Sequence, residues 1–209
     1  MKTILRSGLL IILLAAGHAD AQQIIYANMK EILRAEGDTL TTLRIEKRSK
    51  NQQMLMGGAD YKISVDNNTG LSRYLKSRCF AVQSDTTWYV NTRKVRYKRF
   101  RFGGWYAPAV WIQNKLYFCA QPVGSIAAET IAPANADRLR GDIGTAIASS
   151  GLVNARVYYE IDPETGKVEF VGKEKMLELL ADHPQLREAY QKEDSEAAAV
   201  TRKYLLRLK

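Results

Sequence analysis

The chain has 209 residues, of which 46% are hydrophobic and 25% charged. That length suits one domain, or two small ones, with a packed core, and the composition excludes disordered, collagen-like and coiled-coil classes. Lys and Arg number 31 against 22 Asp and Glu, a formal net charge of +9.

Lys2 and Arg6 precede the apolar run Gly8 to Gly17, and Ala19-Asp20-Ala21 follows. A basic start, a short apolar run and a small-x-small site together mark residues 1–21 as a secretory signal peptide, with Gln22 as the expected first mature residue. The apolar run is about half of the ~20 residues that span a bilayer. No later stretch approaches that length, so no transmembrane helix is expected after cleavage. No Cys follows Ala21, which argues against a lipid anchor. Loss of Lys2, Arg6 and Asp20 takes the net charge from +9 to +8, and loss of His18 leaves His183 as the single histidine. A lone histidine excludes multi-histidine metal sites and leaves one candidate base for a nucleophilic triad.

Past Gln22, Ile24 to Arg34 reads as a strand and a short helix. Leu40 to Lys47 and Tyr61 to Val65 read as strands, with Gly57-Gly58 and Asp66-Asn67-Asn68 as turns and Thr69 to Lys76 as one or two helical turns. β-Branched and aromatic runs then supply five strand candidates: Cys79 to Gln83, Trp88 to Asn91, Val95 to Phe102, Ala109 to Ile112 and Leu116 to Ala120. The tight punctuation between them implies an antiparallel meander. Leu139, Ile143 and Ile147 lie four apart, with Asn135 as cap and Gly151 as stop, which predicts a helix over 136–150. Gly141 and Gly144 each cost that helix about 1 kcal/mol relative to Ala, and with Ala146 and Ala148 they make a small-residue seam suited to close packing.

Arg156 to Ile161 and Lys167 to Val171 flank Asp162-Pro163-Glu164-Thr165-Gly166, a hairpin signal with Pro early and Gly last. Three helices close the chain: one through Met176, Leu177 and Leu180 to near Asp182, one from Pro184 through Tyr190, and one over Ser195 to Leu208. Strands first and helices later predict an α+β fold, a single domain over 22–209 with the C-terminal helices packed on a central antiparallel meander.

Cys79 and Cys119 both survive signal cleavage. In an oxidising compartment an even pair is a disulfide candidate, and closing a loop of about 40 residues would stabilise by roughly 3–4 kcal/mol. The alternative is two reduced cysteines that pack as small apolar residues on neighbouring strands.

The excess charge is concentrated. Thr86 to Ala128 carries seven basic residues and no acidic one, and six of the seven are Arg93, Lys94, Arg96, Lys98, Arg99 and Arg101. All the tryptophans, Trp88, Trp105 and Trp111, lie in the same stretch. A basic, aromatic sheet surface suits an anionic partner, because cations neutralise phosphate, carboxylate or sulfate while rings stack on sugars or sit at a lipid headgroup boundary. The candidate binding set is therefore Arg93, Lys94, Arg96, Lys98, Arg99, Arg101, Trp105 and Tyr106, with an anionic glycan or lipid of the envelope as the partner. The alternative is a solvated strand face with its tryptophans in the core. Phe100 and Phe102 fall in phase with the cations, which places a bulge near Lys98-Arg99. No recognition helix or RNA-binding motif occurs, and nucleic acid is not expected.

No G-x-S-x-G, H-E-x-x-H, P-loop or G-x-G-x-x-G occurs, and neither cofactor nor metal is implied. Glu160, Asp162, Glu164 and Glu169 gather at the hairpin, as paired acids, a weak Ca²⁺ site or a solvated cluster. His183, before Pro184, is either a helix-start residue or a catalytic base.

The stretches Phe100 to Gly124 and Arg156 to Tyr190, with the phrases GGWYAPA and IDPETGKVEF, resemble a family of exported Bacteroidales proteins known as a domain of unknown function. The resemblance covers about the last two thirds of the mature chain. It implies export and a cell-envelope setting, and it transfers no catalytic residue. The expectation is a non-enzymatic exported protein, periplasmic, outer-envelope associated or secreted, that binds an anionic envelope component. An envelope hydrolase using acidic residues or His183 is the alternative.

Overall fold

The computed structural model describes residues 22–40, 43–127 and 154–209. The signal segment 1–21 and the helix expected over 136–150, with its small-residue seam, lie outside them. Strand β1 (Gln23–Tyr26) leads into helix α1 (Met29–Arg34). Asn28 caps α1 by accepting the Glu31 N–H at 3.1 Å, while the Glu31 carboxylate reaches back to the Ala27 N–H at 2.6 Å. That reciprocal arrangement satisfies two donors the first helical turn would leave unpaired.

Strands β2 (Asp38–Leu40) and β3 (Leu43–Lys47) follow, then helix α2 (Lys50–Met56), β4 (Tyr61–Val65) and α3 (Thr69–Ser77). Helix α2 was not among the expected elements. Its sequence has no apolar periodicity, and it forms because Ser49 and Gln52 make a full capping box and because its Gln53 side chain is bonded into the interior.

The strand-rich middle comprises β5 (Ala81–Ser84), β6 (Thr87–Asn91), β7 (Arg96–Tyr97), β8 (Phe100–Arg101), β9 (Tyr106–Ile112) and β10 (Lys115–Ala120). The hairpin of β11 (Val157–Ile161) and β12 (Val168–Phe170) and helices α4 (Lys173–Leu179), α5 (Pro184–Gln191) and α6 (Ala198–Leu205) complete the α+β fold. Among the described residues ten strands join in one antiparallel sheet, ordered β12-β11-β10-β9-β6-β5-β1-β2, with β3 and β4 attached where Tyr61 meets Tyr106 at the start of β9.

One expected strand does not exist. Val95 to Phe102 leaves the sheet: Thr92–Lys94 is a 3-10 turn, and β7 and β8 pair only with each other as a small hairpin. β6 therefore pairs directly with β9, Trp88 opposite Ala109, and the meander is interrupted by this excursion. The change of phase at Lys98-Arg99 is a two-residue turn with Lys98 at φ 54, and not a bulge.

The excursion is held by its rings. Phe102 meets Tyr159 at 4.7 Å and Phe118 at 5.2 Å between ring centroids, and Tyr97 meets Tyr159 at 5.5 Å. These edge and tilted contacts lay the hairpin over β10 and β11. Trp88 and Val90 belong to the same core, where Trp88 stacks between Tyr26 and Trp111. On the opposite face Tyr117 and Tyr158 are covered by Met176, Leu180, Tyr190, Tyr204 and Leu205 from the C-terminal helices. Farther along, Ile25, Val82 and Tyr106 are covered by Leu75 of α3 and by Leu43 and Ile63.

The cysteines are not bonded. Cys79 precedes β5 and Cys119 lies in β10, with β6 and β9 between. Three strand spacings of about 4.8 Å separate them by about 14 Å, twice the ~7 Å a disulfide allows. The expected disulfide is thereby overturned, and so is the placement on neighbouring strands. Each thiol packs in a different core. Burial pushes the Cys79 thiol up and that of Cys119 up to about 12.

Candidate anion-binding cleft

The end of β6 fastens three segments together. Asn91, 1% exposed, donates from Nδ2 to the carbonyls of Leu75 (3.2 Å) and Cys79 (2.9 Å), and its Oδ1 accepts the Arg93 N–H. Tyr106 donates its hydroxyl to the Leu75 carbonyl at 2.7 Å. The last turn of α3 is thus tied to the 3-10 turn and to the start of β9.

Next to it Thr92 gathers the loop that precedes β9. Its N–H donates to the Trp105 carbonyl at 2.9 Å, and its hydroxyl reaches the carbonyls of Gly104 (3.0 Å) and Trp105 (3.1 Å). From the other side the Ala59 N–H donates to Gly104 O at 2.9 Å. Gly58, at φ +80, must be glycine: a Cβ there would stand 2.4 Å from the Gly104 carbonyl oxygen. Gly57-Gly58, read as a turn in the sequence, therefore packs against Gly103-Gly104.

These bonds hold Trp105 at φ 75. A bulky residue in the left-handed region costs on the order of 1–3 kcal/mol and persists only where its surroundings enforce it. The half-buried indole has the Arg48 guanidinium 5.0 Å from its ring centroid. Arg48 is itself 6% exposed. It donates to the carbonyls of Gly57, Ala59 and Gln52, so the platform under Trp105 is rigid.

Beside Trp105 opens a cleft of about 550 Å³, a size in the usual range for small-ligand sites. Lys62 of β4, Lys76 of α3 and Arg93 of the 3-10 turn line it, with Met56, Ser64, Ser72 and Trp105. Lys62 lies 4.0 Å from Glu46, a carboxylate that Arg44 already holds at 2.7 Å. Lys76 and Arg93 have no ion pair among the described residues. The lining contains no carboxylate, histidine or thiol. It has groups that hold an anion and none of the usual groups that activate water.

The structure divides the sequence-derived binding set. Arg93 and Trp105 meet in the cleft. Tyr106 touches it but is 2% exposed, with its hydroxyl committed to Leu75. Lys94, Arg96, Lys98, Arg99 and Arg101 are all exposed and spread elsewhere. Arg96 and Lys98 border a second hollow with Lys167 and Glu169, Arg101 borders a third, and Lys98 and Arg99 lie over the rings of Tyr97 and Phe100. Lys62, Lys76 and Met56 were missed, since they lie outside the strongly basic, aromatic stretch from which the candidates were drawn. The Ser49-x-x-Gln52 spacing, a capping-box signature, was the one signal for the helix that carries Met56.

Three of the hairpin acids, Glu160, Asp162 and Glu169, have partners in the fold. Glu160, 2% exposed, accepts from Lys115 at 2.7 Å, and Lys175 lies between Glu160 and Glu169 at 4.0 and 3.4 Å. Asp162 builds the turn, its Oδ1 accepting from the N–H groups of Glu164 and Thr165 and from the Thr165 hydroxyl. Those bonds hold its carboxyl below the ordinary range. Among the described residues no cluster of acids, histidine and cysteine could hold a metal ion. His183 is exposed at the N-terminus of α5. A hollow of about 650 Å³ lies beside α5 and α6, lined also by Ile126 and Asn154 next to the residues not described.

Fold and cleft define an α+β protein with, among the described residues, a ten-stranded antiparallel sheet and a cationic, aromatic cleft at the end of β6. The chain belongs to the family of unknown function (DUF6563), which matches residues 24–209. No curated protein and no solved structure matches it. Among the described residues no helix is long and apolar enough to cross a membrane.

Proposed function

We propose that the protein is an exported, non-enzymatic binding protein of the cell envelope, whose cleft between α3, β4 and Trp105 takes the anionic group of an envelope component. One observation carries the reading: Lys62, Lys76 and Arg93 converge from three segments on a cleft without a carboxylate, beside a tryptophan held in a strained backbone conformation. Placing like charges together costs stability, and an anion relieves it.

The test is titration with inorganic phosphate, read by tryptophan fluorescence. Lys76→Ser and Arg93→Ser should each weaken binding about tenfold, the worth of a charge-assisted hydrogen bond, and rising salt should weaken the wild type. Replacing Arg96, Lys98, Arg99 and Arg101 together by Ser should leave the affinity unchanged, because none of them lines the cleft. Salt-insensitive binding, or equal affinity in the Lys76 and Arg93 variants, refutes the site.

Export rests on the signal-like residues 1–21 and on the envelope setting that the sequence resemblance implies. N-terminal sequencing of protein from the envelope fraction should return Gln22, and an intact Met1 there refutes it.

A further inference from the structure

The C-terminal end of α2 shows a feature that the cleft alone does not explain. Met54, Leu55 and Met56 are consecutive and 57%, 87% and 68% exposed, and among the described residues only Leu33 is another exposed large apolar side chain. This end is built to protrude. The N-terminal half of α2 is fixed by the Ser49–Gln52 capping box, and Gln53 accepts from Arg156 at 2.7 Å while donating to the Arg48 carbonyl. Gly57, at φ 59, then turns the chain away with open space around it.

Consecutive helical residues are 100° apart, so three of them wrap the tip and do not form a stripe. A stripe suits a groove or a second helix. An apolar tip exposed on several sides suits a surrounding that is apolar on every side, which is the edge of a bilayer. Charge complementarity names the kind of bilayer. Lys47 and Lys62 line the hollow at the base of the tip, where the carboxylate is Glu46, already held by Arg44. Met56 also lines the cleft that holds Lys76 and Arg93. A lipid whose acyl chains meet Leu55 would have its phosphate beside those cations.

We infer that the Met54-Leu55-Met56 tip of α2 docks the protein on an anionic lipid surface, inserting between headgroups while Lys62, Lys76 and Arg93 hold a lipid phosphate. This rests on the anion-binding reading of the cleft and assigns its ligand to a membrane. Polybasic attraction and apolar insertion are each weak alone and add when they act on one surface.

The experiment is flotation of the chain from Gln22 to Lys209, which contains every described residue, with phosphatidylcholine vesicles made with and without phosphatidylglycerol. Wild type should float with the anionic vesicles and not with the neutral ones. The double variant Met54→Ser, Leu55→Ser should lose about tenfold or more in vesicle affinity and keep its melting temperature and its phosphate titration, since both side chains are exposed and neither lines the cleft. Arg93→Ser with Lys76→Ser should lose both vesicle and phosphate binding. If phosphate binds normally and vesicles do not, the membrane inference falls and the cleft stands. If the double variant floats like wild type, the anionic surface is met by charge alone and the tip has no docking role. If phosphate binding fails in the wild type, the reading of the cleft falls with it.

Discussion

Replacing Tyr159 by Ala should lower the free energy of unfolding by about 3–5 kcal/mol, the range for deleting a large ring from a packed core. At about 2–4 °C per kcal/mol for a chain of this size, the melting temperature should fall by roughly 10 °C. Tyr159 is 0% exposed. Its ring touches Tyr97, Phe102, Phe118 and Phe170, with centroid distances of 5.5, 4.7, 5.4 and 6.0 Å. Its hydroxyl accepts the Val123 N–H at 3.1 Å and donates to the Gln121 carbonyl at 3.4 Å. It is the residue on which the β7–β8 hairpin rests, so its loss should release the hairpin as well as open a cavity. Tyr159→Phe keeps the ring and leaves the Val123 N–H without its acceptor, and should cost only about 1–2 kcal/mol. Thermal unfolding followed by near-ultraviolet circular dichroism separates the two variants. Equal melting temperatures for Tyr159→Ala and wild type would show that the hairpin is held by something other than this ring.

Asp60→Ala should be comparably damaging, about 3–5 kcal/mol, because it removes the carboxylate from a largely buried ion pair with Arg156. Both Asp60 carboxylate oxygens accept from the Arg156 Nε at 3.1 Å, and Oδ1 also accepts from Nη2 at 2.6 Å. The pair is only 17% and 16% exposed. Arg156 continues to Gln53 at 2.7 Å, and the Arg48 N–H donates to the Asp60 carbonyl at 2.7 Å. Arg48, beneath Trp105, has its guanidinium pulled down by burial and lifted back by Asp60. The Asp60 carboxylate therefore fixes Arg156, which holds Gln53 of α2, while its backbone carbonyl accepts from Arg48 in the floor of the cleft. Asp60→Asn, which keeps an acceptor but no charge, should fall between Ala and wild type. The check is urea unfolding of the three proteins together with phosphate titration. The Ala variant should lose phosphate affinity through disorder of Trp105 although Asp60 does not line the cleft. Unchanged stability would mean that the other contacts of Arg156 hold it without the carboxylate.

Local patterns carried far in this chain. The hairpin at Asp162 to Gly166 was legible because Asp, Pro and Gly each act on their own few bonds, and the structure shows Asp162 capping the turn with Gly166 at φ +67. The C-terminal helices were legible from Met176, Tyr190 and Tyr204, whose spacing marks buried faces that do meet in one core. The basic segment failed as a strand for a physical reason. Val95, Tyr97 and Phe102 are apolar enough for a strand, yet their burial is satisfied by rings of β10 and β11 below them and not by pairing alongside β6. Apolar pattern records that a side chain is buried and does not record which element buries it.

The amino-acid sequence by itself determined the class of fold, most of the strands and helices, and the presence of one strongly basic, aromatic stretch. Those properties depend on composition and on neighbours within a few residues, where backbone geometry leaves few choices. Tertiary structure alone decided which cations meet and which cysteines do not. Arg93 joins Lys62 and Lys76 because Asn91 and Tyr106 bind the end of α3 to β6 and β9, while the six other basic residues of the same stretch lie outside the cleft. Cys79 and Cys119 are kept apart by two intervening strands, a matter of sheet order that no spacing along the chain encodes. Trp105 adopts its left-handed conformation because Thr92 and Ala59 grip the backbone around it from two sides. Convergence of this kind is set by hydrogen bonds between segments far apart in sequence, which is why the cleft exists only in the folded chain.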